Sequence, residues 1–208
     1  MLEATTVVTP ARFEQGLPYA DFLAQAKVNR DKFEKFYDDP ALTDDDIAFF
    51  KRVAALPEGP AKIMALAEDW CGDVYRELPT AVRIAEATGA ELRVFRRDEN
   101  PDIMDEYLLN GKSRAIPVFV FYTKDHRYIT HFVERSAGAH QELAAAVAEI
   151  SAKLGLPPGT TYATVPDASR PAFVQELIAK ITPRFGDWRK EAIREIRTLL
   201  STALHIPA

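Results

Sequence analysis

The sequence predicts an α/β fold: a mixed sheet of four to five strands with added N-terminal and C-terminal helices. Two observations carry this. Between residues 61 and 154, short apolar runs alternate with helical patterns in the order β-α-β-α-β-β-α. The first part reads as a parallel crossover and the end as an antiparallel hairpin closed by a helix, so the sheet is mixed. On either side, apolar residues recur at helical spacing only. The expected division is therefore 1–57, an N-terminal helical extension; 58–155, the α/β domain; and 156–208, a linker and C-terminal helical extension.

The elements follow in order. Residues 1–16 show no sustained periodicity and are expected to be a poorly ordered lead-in. From Leu17 to Tyr37, the residues Tyr19, Phe22, Leu23, Ala26, Phe33, Phe36 and Tyr37 share one helical face. Asp39-Pro40 should end that helix, because the residue before a proline avoids helical angles. Thr43 caps the next helix, with Asp44, Asp45 and Asp46 in its first turn and Ile47, Phe50 and Ala54 as its apolar stripe. The acidic triplet has the composition of a metal site, but a helix start, where carboxylates suit the dipole, accounts for it. No metal is expected.

After Pro57-Glu58-Gly59-Pro60, Lys62–Ala67 suits a buried strand, although its length also leaves helix open. A helix from Cys71 to Thr88 places Val74, Leu78, Val82 and Ala85 on one face; Pro79 should kink it and Gly89 stop it. Glu91–Phe95 reads as a strand. Asn100-Pro101 opens a helix through Leu109 that closes at Asn110-Gly111. Val118–Tyr122 and Tyr128–Val133 form a hairpin, and Gln141–Leu154 a helix carrying Leu143, Val147, Ile150 and Leu154. Past Pro157-Pro158-Gly159, a helix from Ser169 and Pro171 bears Phe173, Val174, Leu177, Ile178 and Ile181. Pro183 interrupts it, and Trp188, Ala192, Ile196 and Leu199 continue the stripe, giving two helices or one kinked helix.

Composition removes whole classes of function. There are 26 Lys and Arg against 31 Asp and Glu, a net charge of −5, and no clustered basic face to meet a nucleic acid. The one cysteine excludes an internal disulfide and any zinc site of two or more thiolates. The opening MLEATTVVTPARF lacks the basic and apolar regions of a secretory signal, and no apolar run approaches membrane length. A cytoplasmic protein with a reduced thiol is expected.

The chemistry concentrates at Asp69-Trp70-Cys71-Gly72-Asp73-Val74, a strand-to-helix junction. Unpaired N–H groups at a helix start favour a thiolate, so Cys71 there has the makings of a nucleophile. An inert small hydrophobe, the usual fate of a free cysteine, is the other reading. Two local effects oppose each other at the sulfur. The helix start favours the thiolate by roughly 0.3–2 kcal/mol. A carboxylate at Asp73, about 6 Å away, disfavours it by about 1 kcal/mol after screening. The expected thiol pKa is lowered modestly or not at all.

These residues resemble the thioredoxin superfamily: Trp70-Cys71-Gly72-Asp73-Val74, Pro79 eight positions after the cysteine, and Arg114-Ala115-Ile116-Pro117-Val118 opening a strand. The resemblance covers residues 61–154 and makes 58–155 a thioredoxin-like domain. Residues 97–111, Arg97-Asp98-Glu99-Asn100-Pro101 through Asn110-Gly111, are similar to a bacterial branch of thioredoxin-like proteins of unassigned activity. In the family the tryptophan–cysteine pair begins a kinked active-site helix, and the later proline is cis and lies against the sulfur. The resemblance thus implies a catalytic set of Cys71, Trp70, Asp73 and Pro117, with Ile116 and Arg114 as substrate-binding residues. An ordinary trans proline at a strand start is what Pro117 would otherwise be.

Two departures shape the expected activity. Where the dithiol family has a second cysteine, three positions on, this chain has Val74; where it has a buried aspartate, six positions before, it has Ala65. Without a resolving thiol the chain can begin an exchange but needs an external thiol to finish it. The expected function is monothiol thiol–disulfide exchange through Cys71. Its alternative is a non-catalytic binding module that uses the groove beside Pro117 and the terminal helices. Iron–sulfur binding ranks last, because one cysteine per chain needs an external thiol and a dimer to fill four ligand positions.

No cofactor is expected. The expected partners are protein thiols or disulfides, or a small-molecule thiol, with a homodimer allowed and neither nucleic acid nor membrane. Arg76 and Arg114 each stand within reach of the thiolate; for Arg76 a solvated surface charge is the favoured reading. His126, His131 and His140 are expected to face solvent or cap the hairpin.

Overall fold

The computed structural model describes residues 6–39 and 42–207; the stop expected at Pro40 lies outside them. The described residues up to Arg135, with those from Ala192 onward, form one compact unit, and Ser136–Glu191 form another.

The first unit is built on β1 (Lys62–Ala67), β2 (Glu91–Arg96), β3 (Val118–Tyr122) and β4 (Tyr128–Val133), in the order β2-β1-β3-β4. β2 runs parallel to β1, while β3 and β4 are antiparallel, so the mixed sheet has four strands. β1 and β3 lie at the centre, and every β3 residue is buried. Their continuous apolar runs follow from being covered on both faces, whereas edge strand β4 is only partly buried.

Among the described residues, four short helices precede the sheet: Pro10–Phe13 (α1), Tyr19–Ala24 (α2), Arg30–Asp38 (α3) and Asp44–Ala54 (α4). The expected lead-in is, from residue 6 onward, part of the core. Val8 and Phe13 are fully buried, and Leu17 exchanges two 2.8 Å backbone hydrogen bonds with Val94, covering the free edge of β2. Gly16 permits this approach, since a Cβ there would lie 2.6 Å from the Phe95 ring. A four-residue helix is too short to show a period, which is why the sequence reads as featureless. The single helix expected from Leu17 to Tyr37 is two, broken where Asn29 takes a left-handed φ of 59°.

Thr43 does cap α4, through a reciprocal capping box with Asp46. Asp45 and Asp46 also pair with Arg197, so the acidic triplet is a helix start tied to an ion pair. The buried stripe is Phe49, Phe50 and Val53; it shares Phe50 with the expected one, and Ile47 and Ala54 are half-buried.

β1 passes into α5 (Gly72–Thr88), whose buried face includes Val74, Leu78, Val82 and Ala85, with Pro79 inside the helix. Gly89, at φ 73°, turns the chain into β2. The helix expected from Asn100 to Leu109 is only Pro101–Met104 (α6), followed by turns to Asn110-Gly111.

The second unit holds α7 (Ala137–Lys153), α8 (Arg170–Ile181) and the start of α9 (Phe185–Leu204). α7 begins at a Ser136 cap, earlier than the expected Gln141. Its core is Ala146, Ile150, Val165, Phe173 and Leu177; Ile178, expected on the apolar stripe, is exposed. A 3₁₀ turn at Thr182–Arg184 separates α8 from α9, so the interrupted tail is two helices.

Candidate functional site

The end of β1 positions the site. Glu68 and Asp69, both buried, serve as braces: Glu68 Oε1 accepts from the Asp98 N–H at 2.9 Å, and Asp69 Oδ2 from the Lys27 N–H at 2.6 Å. The Asn29 amide donates to the Asp69 carbonyl at 2.9 Å, so the α2–α3 loop is fixed against the segment leading to the cysteine. These roles depend on contacts about 30–42 residues away and left no local signal.

Cys71 is the N-cap of α5, in extended backbone, and makes no side-chain capping bond. Its thiol donates to the Ile116 carbonyl, with sulfur 3.6 Å from oxygen. The Ile116–Pro117 peptide is cis, and the Pro117 carbonyl accepts from the Glu134 N–H at 2.7 Å. Cys71, Ile116, Pro117 and Asp73 are therefore brought together.

Trp70 adjoins them with half of its surface exposed. The Arg97 guanidinium lies 4.8 Å from the centre of its ring and donates to the Arg114 carbonyl at 3.3 Å. Arg114 meets the site through that carbonyl. Its own guanidinium forks onto Asp105 at 2.8 Å. In sequence Arg97 stands only at the head of the 97–111 stretch, with nothing local to give it a role at the site.

Electrostatics overturn two expectations. Arg76 is no surface charge: it is 2% exposed, bonded at 2.5 Å to Asp73 and at 2.7 Å to Glu77. Arg135 also pairs with Asp73, from the chain just after β4. Burial in low dielectric works against the Asp73 carboxylate, but the Arg76 and Arg135 charges outweigh it and hold the carboxyl below its ordinary range. The Cys71 thiol, expected at or slightly below its ordinary value, lies above it. Burial is the largest cause and the Asp73 charge the second; the N–H groups of Val74 and Asp73 oppose them. The sequence argument weighed dipole against carboxylate and omitted desolvation, which dominates.

Val74 and Ala65, the two departures from the dithiol pattern, are both fully buried. One of the histidines, His126, also differs from expectation. His126 is buried, stacked on Tyr122 with centroids 4.4 Å apart, and its Nε2–H donates to the Val8 carbonyl at 2.6 Å. His131 sits 2.6 Å from the Tyr128 hydroxyl through Nδ1. Among the described residues, no group of three His, Cys, Asp or Glu side chains could hold a metal, and no helix is long and apolar enough to cross a membrane.

Comparison with known proteins gives a consistent picture of the fold. No curated protein sequence matches the chain. A protein of unknown function from Pseudomonas aeruginosa, PA1234, known from a 1.5 Å crystal structure, is similar at 16% identity and a TM-score of 0.59, covering 94% of this chain and 98% of that one. An HIV epitope-scaffold of the 4E10 series is similar at 15% identity and a TM-score of 0.61, covering 95% and 99%. At these identities the likeness concerns the fold alone. The thioredoxin family model matches residues 16–149, well over half of the sequence, and contains both Trp70-Cys71 and Ile116-Pro117. The chain belongs to the thioredoxin family.

Proposed function

We propose that this thioredoxin-like chain performs monothiol thiol–disulfide exchange through Cys71. The observation that carries the reading is the placement of the only thiol, at the uncapped start of α5 and 3.6 Å from the carbonyl preceding Pro117. The Asp73 and Val74 N–H groups lower the cost of the thiolate there. Cys71, once deprotonated, attacks one sulfur of a protein disulfide. A Cys71–substrate disulfide forms, the old S–S bond breaks, and the departing thiolate takes up a proton. An external thiol, small-molecule or protein, then attacks the mixed disulfide on the substrate sulfur. Cys71 is released as the thiol and the substrate carries the new disulfide. Val74 offers no internal route for this second step. The cytoplasm, where thiols stay reduced and resolving thiols are abundant, suits the chemistry.

A non-catalytic binding module is favoured by one observation, the burial that holds the thiol above its ordinary pKa. Trapping separates the two readings. Cells expressing the wild type or Cys71→Ser are quenched with acid and alkylated, and partners are compared on non-reducing gels. Partners released by reductant and absent from Cys71→Ser support exchange; partners that co-purify equally with both proteins from unquenched lysate support the binding module. Insulin reduction with thioredoxin reductase is expected to be negligible for the wild type and to rise in Val74→Cys.

A further inference from the structure

We propose that Arg135 is a positioning residue for Cys71, acting through Asp73; the chemical meaning of this role rests on the exchange reading above. Arg135 stands 62 residues from Asp73 in sequence, yet its Nε donates to Asp73 Oδ1 at 3.3 Å and its Nη2 to Oδ2. It also bonds the Glu134 carboxylate at 2.6 Å. Glu134, in a left-handed conformation at φ 63°, donates its N–H to the Pro117 carbonyl at 2.7 Å. The Glu134-Arg135 pair therefore grips both halves of the site: its backbone holds the proline, and its side chain holds the turn that carries the thiol.

The charged groups around the sulfur show why this grip matters. α5 contributes Asp73, Arg76, Glu77 and the Tyr75 hydroxyl, over whose ring α3 places Lys32. The end of β4 contributes Glu134 and Arg135. Glu68 and Asp69 are bound to the Asp98 and Lys27 N–H groups, Arg97 to Trp70 and Asp98, and Arg114 to Asp105. The Arg76 guanidinium, buried, and the Arg135 guanidinium, partly buried, both contact carboxylates. The influence of Arg135 on the thiol is thus indirect: it offsets and orients a carboxylate that would otherwise repel a thiolate two residues away.

The test is the pH profile of Cys71 alkylation by iodoacetamide, which needs no physiological substrate. Arg135→Gln is expected to react about three- to tenfold more slowly below the thiol pKa, a rise of about half to one unit. Arg135→Lys should return the rate to within about twofold of wild type, because it restores the charge. In an Asp73→Asn background, Arg135→Gln should change the rate by less than about twofold, as an indirect effect requires. An unchanged profile in Arg135→Gln, or equal slowing in both backgrounds, overturns the proposal. Should Arg135→Gln fail to fold by circular dichroism, Arg135→Met, which keeps the aliphatic stem without the charge, is profiled in its place. Slowing by about three- to tenfold below the thiol pKa sustains the proposal and an unchanged profile overturns it. Failure of the exchange reading would appear in the trapping experiment and leave this profile unaltered.

Discussion

Helices α5 and α7 are each 17 residues long, and they begin in opposite ways. Ser136 caps α7: its hydroxyl accepts from the Ala139 N–H at 3.2 Å and donates to Glu191 at 3.0 Å. Cys71 stands in the same place on α5 and makes no side-chain capping bond. The N–H groups that a serine would satisfy instead face a sulfur, where they stabilise negative charge. One helix start contributes to stability; under the proposed exchange, the other leaves its donors to the thiolate. Their carboxylates differ in the same sense. Asp73 lies between two arginines that are 2% and 12% exposed, whereas Glu142 on α7 pairs with an Arg184 that is 43% exposed.

The largest effect should come from the buried side of this contrast. Arg76→Ala removes the guanidinium bonded to both Asp73 and Glu77, in a site with little water to replace it. Taking one partner from a buried ion pair costs about 3–5 kcal/mol. Urea unfolding should show that loss, with Cys71 alkylation below the thiol pKa slowed as well. A loss under 1 kcal/mol would place this network with the surface pairs and erase the distinction.

Arg76 also marks where sequence reading stops. The strands, the α5 boundaries and the hairpin were legible because Pro57-Glu58-Gly59-Pro60, Gly89 and the tetrapeptide Lys124–Arg127 punctuate clear apolar runs. Cys71 and Pro117 were legible through the company they keep. Arg76, Arg135 and His126 were not: each is polar in a stretch that local pattern assigns to surface. Arg76 is buried with Asp73 and Glu77 of its own helix, whereas Arg135 and His126 meet partners that only the fold supplies. The Asp73–Arg135 bond spans 62 residues, and no periodicity encodes such a distance. The buried N-terminal segment was missed for the complementary reason, that Val8 and Phe13 are single anchors with no repeat around them.

The two caps can be exchanged in function by single substitutions. Ser136→Ala removes the cap of α7 and deprives Glu191 of a donor, at a cost of about 1–2 kcal/mol. Cys71→Ser should do the reverse, stabilising α5 by about 0.5–1 kcal/mol while abolishing alkylation. Denaturant midpoints of the two variants should thus move in opposite directions. If Cys71→Ser also destabilises, the donors of α5 are not free for a cap, and the proposed division between the helices fails.

The smallest effect concerns the exposed carboxylate on α7. Hydrogen bonds from Arg184 at 2.9 Å and from the Trp188 indole at 2.7 Å hold the Glu142 carboxyl at about 2, well below its ordinary value. A carboxyl depressed in the folded state stabilises the fold above its unfolded pKa, and that contribution fades as pH falls toward the folded one. The window therefore runs downward from about pH 4.5 to about pH 2. Glu142 is 38% exposed, so water and salt screen the pair, and the contribution is on the order of 1 kcal/mol or less. Glu142→Gln keeps an acceptor for Trp188 and removes the charge, which isolates the ionic part. Above pH 5 the variant should be slightly less stable than wild type, and the gap should close as the buffer approaches pH 2. A gap that persists undiminished at pH 2 would mean that hydrogen-bond geometry, not charge, is what Glu142 contributes to α7.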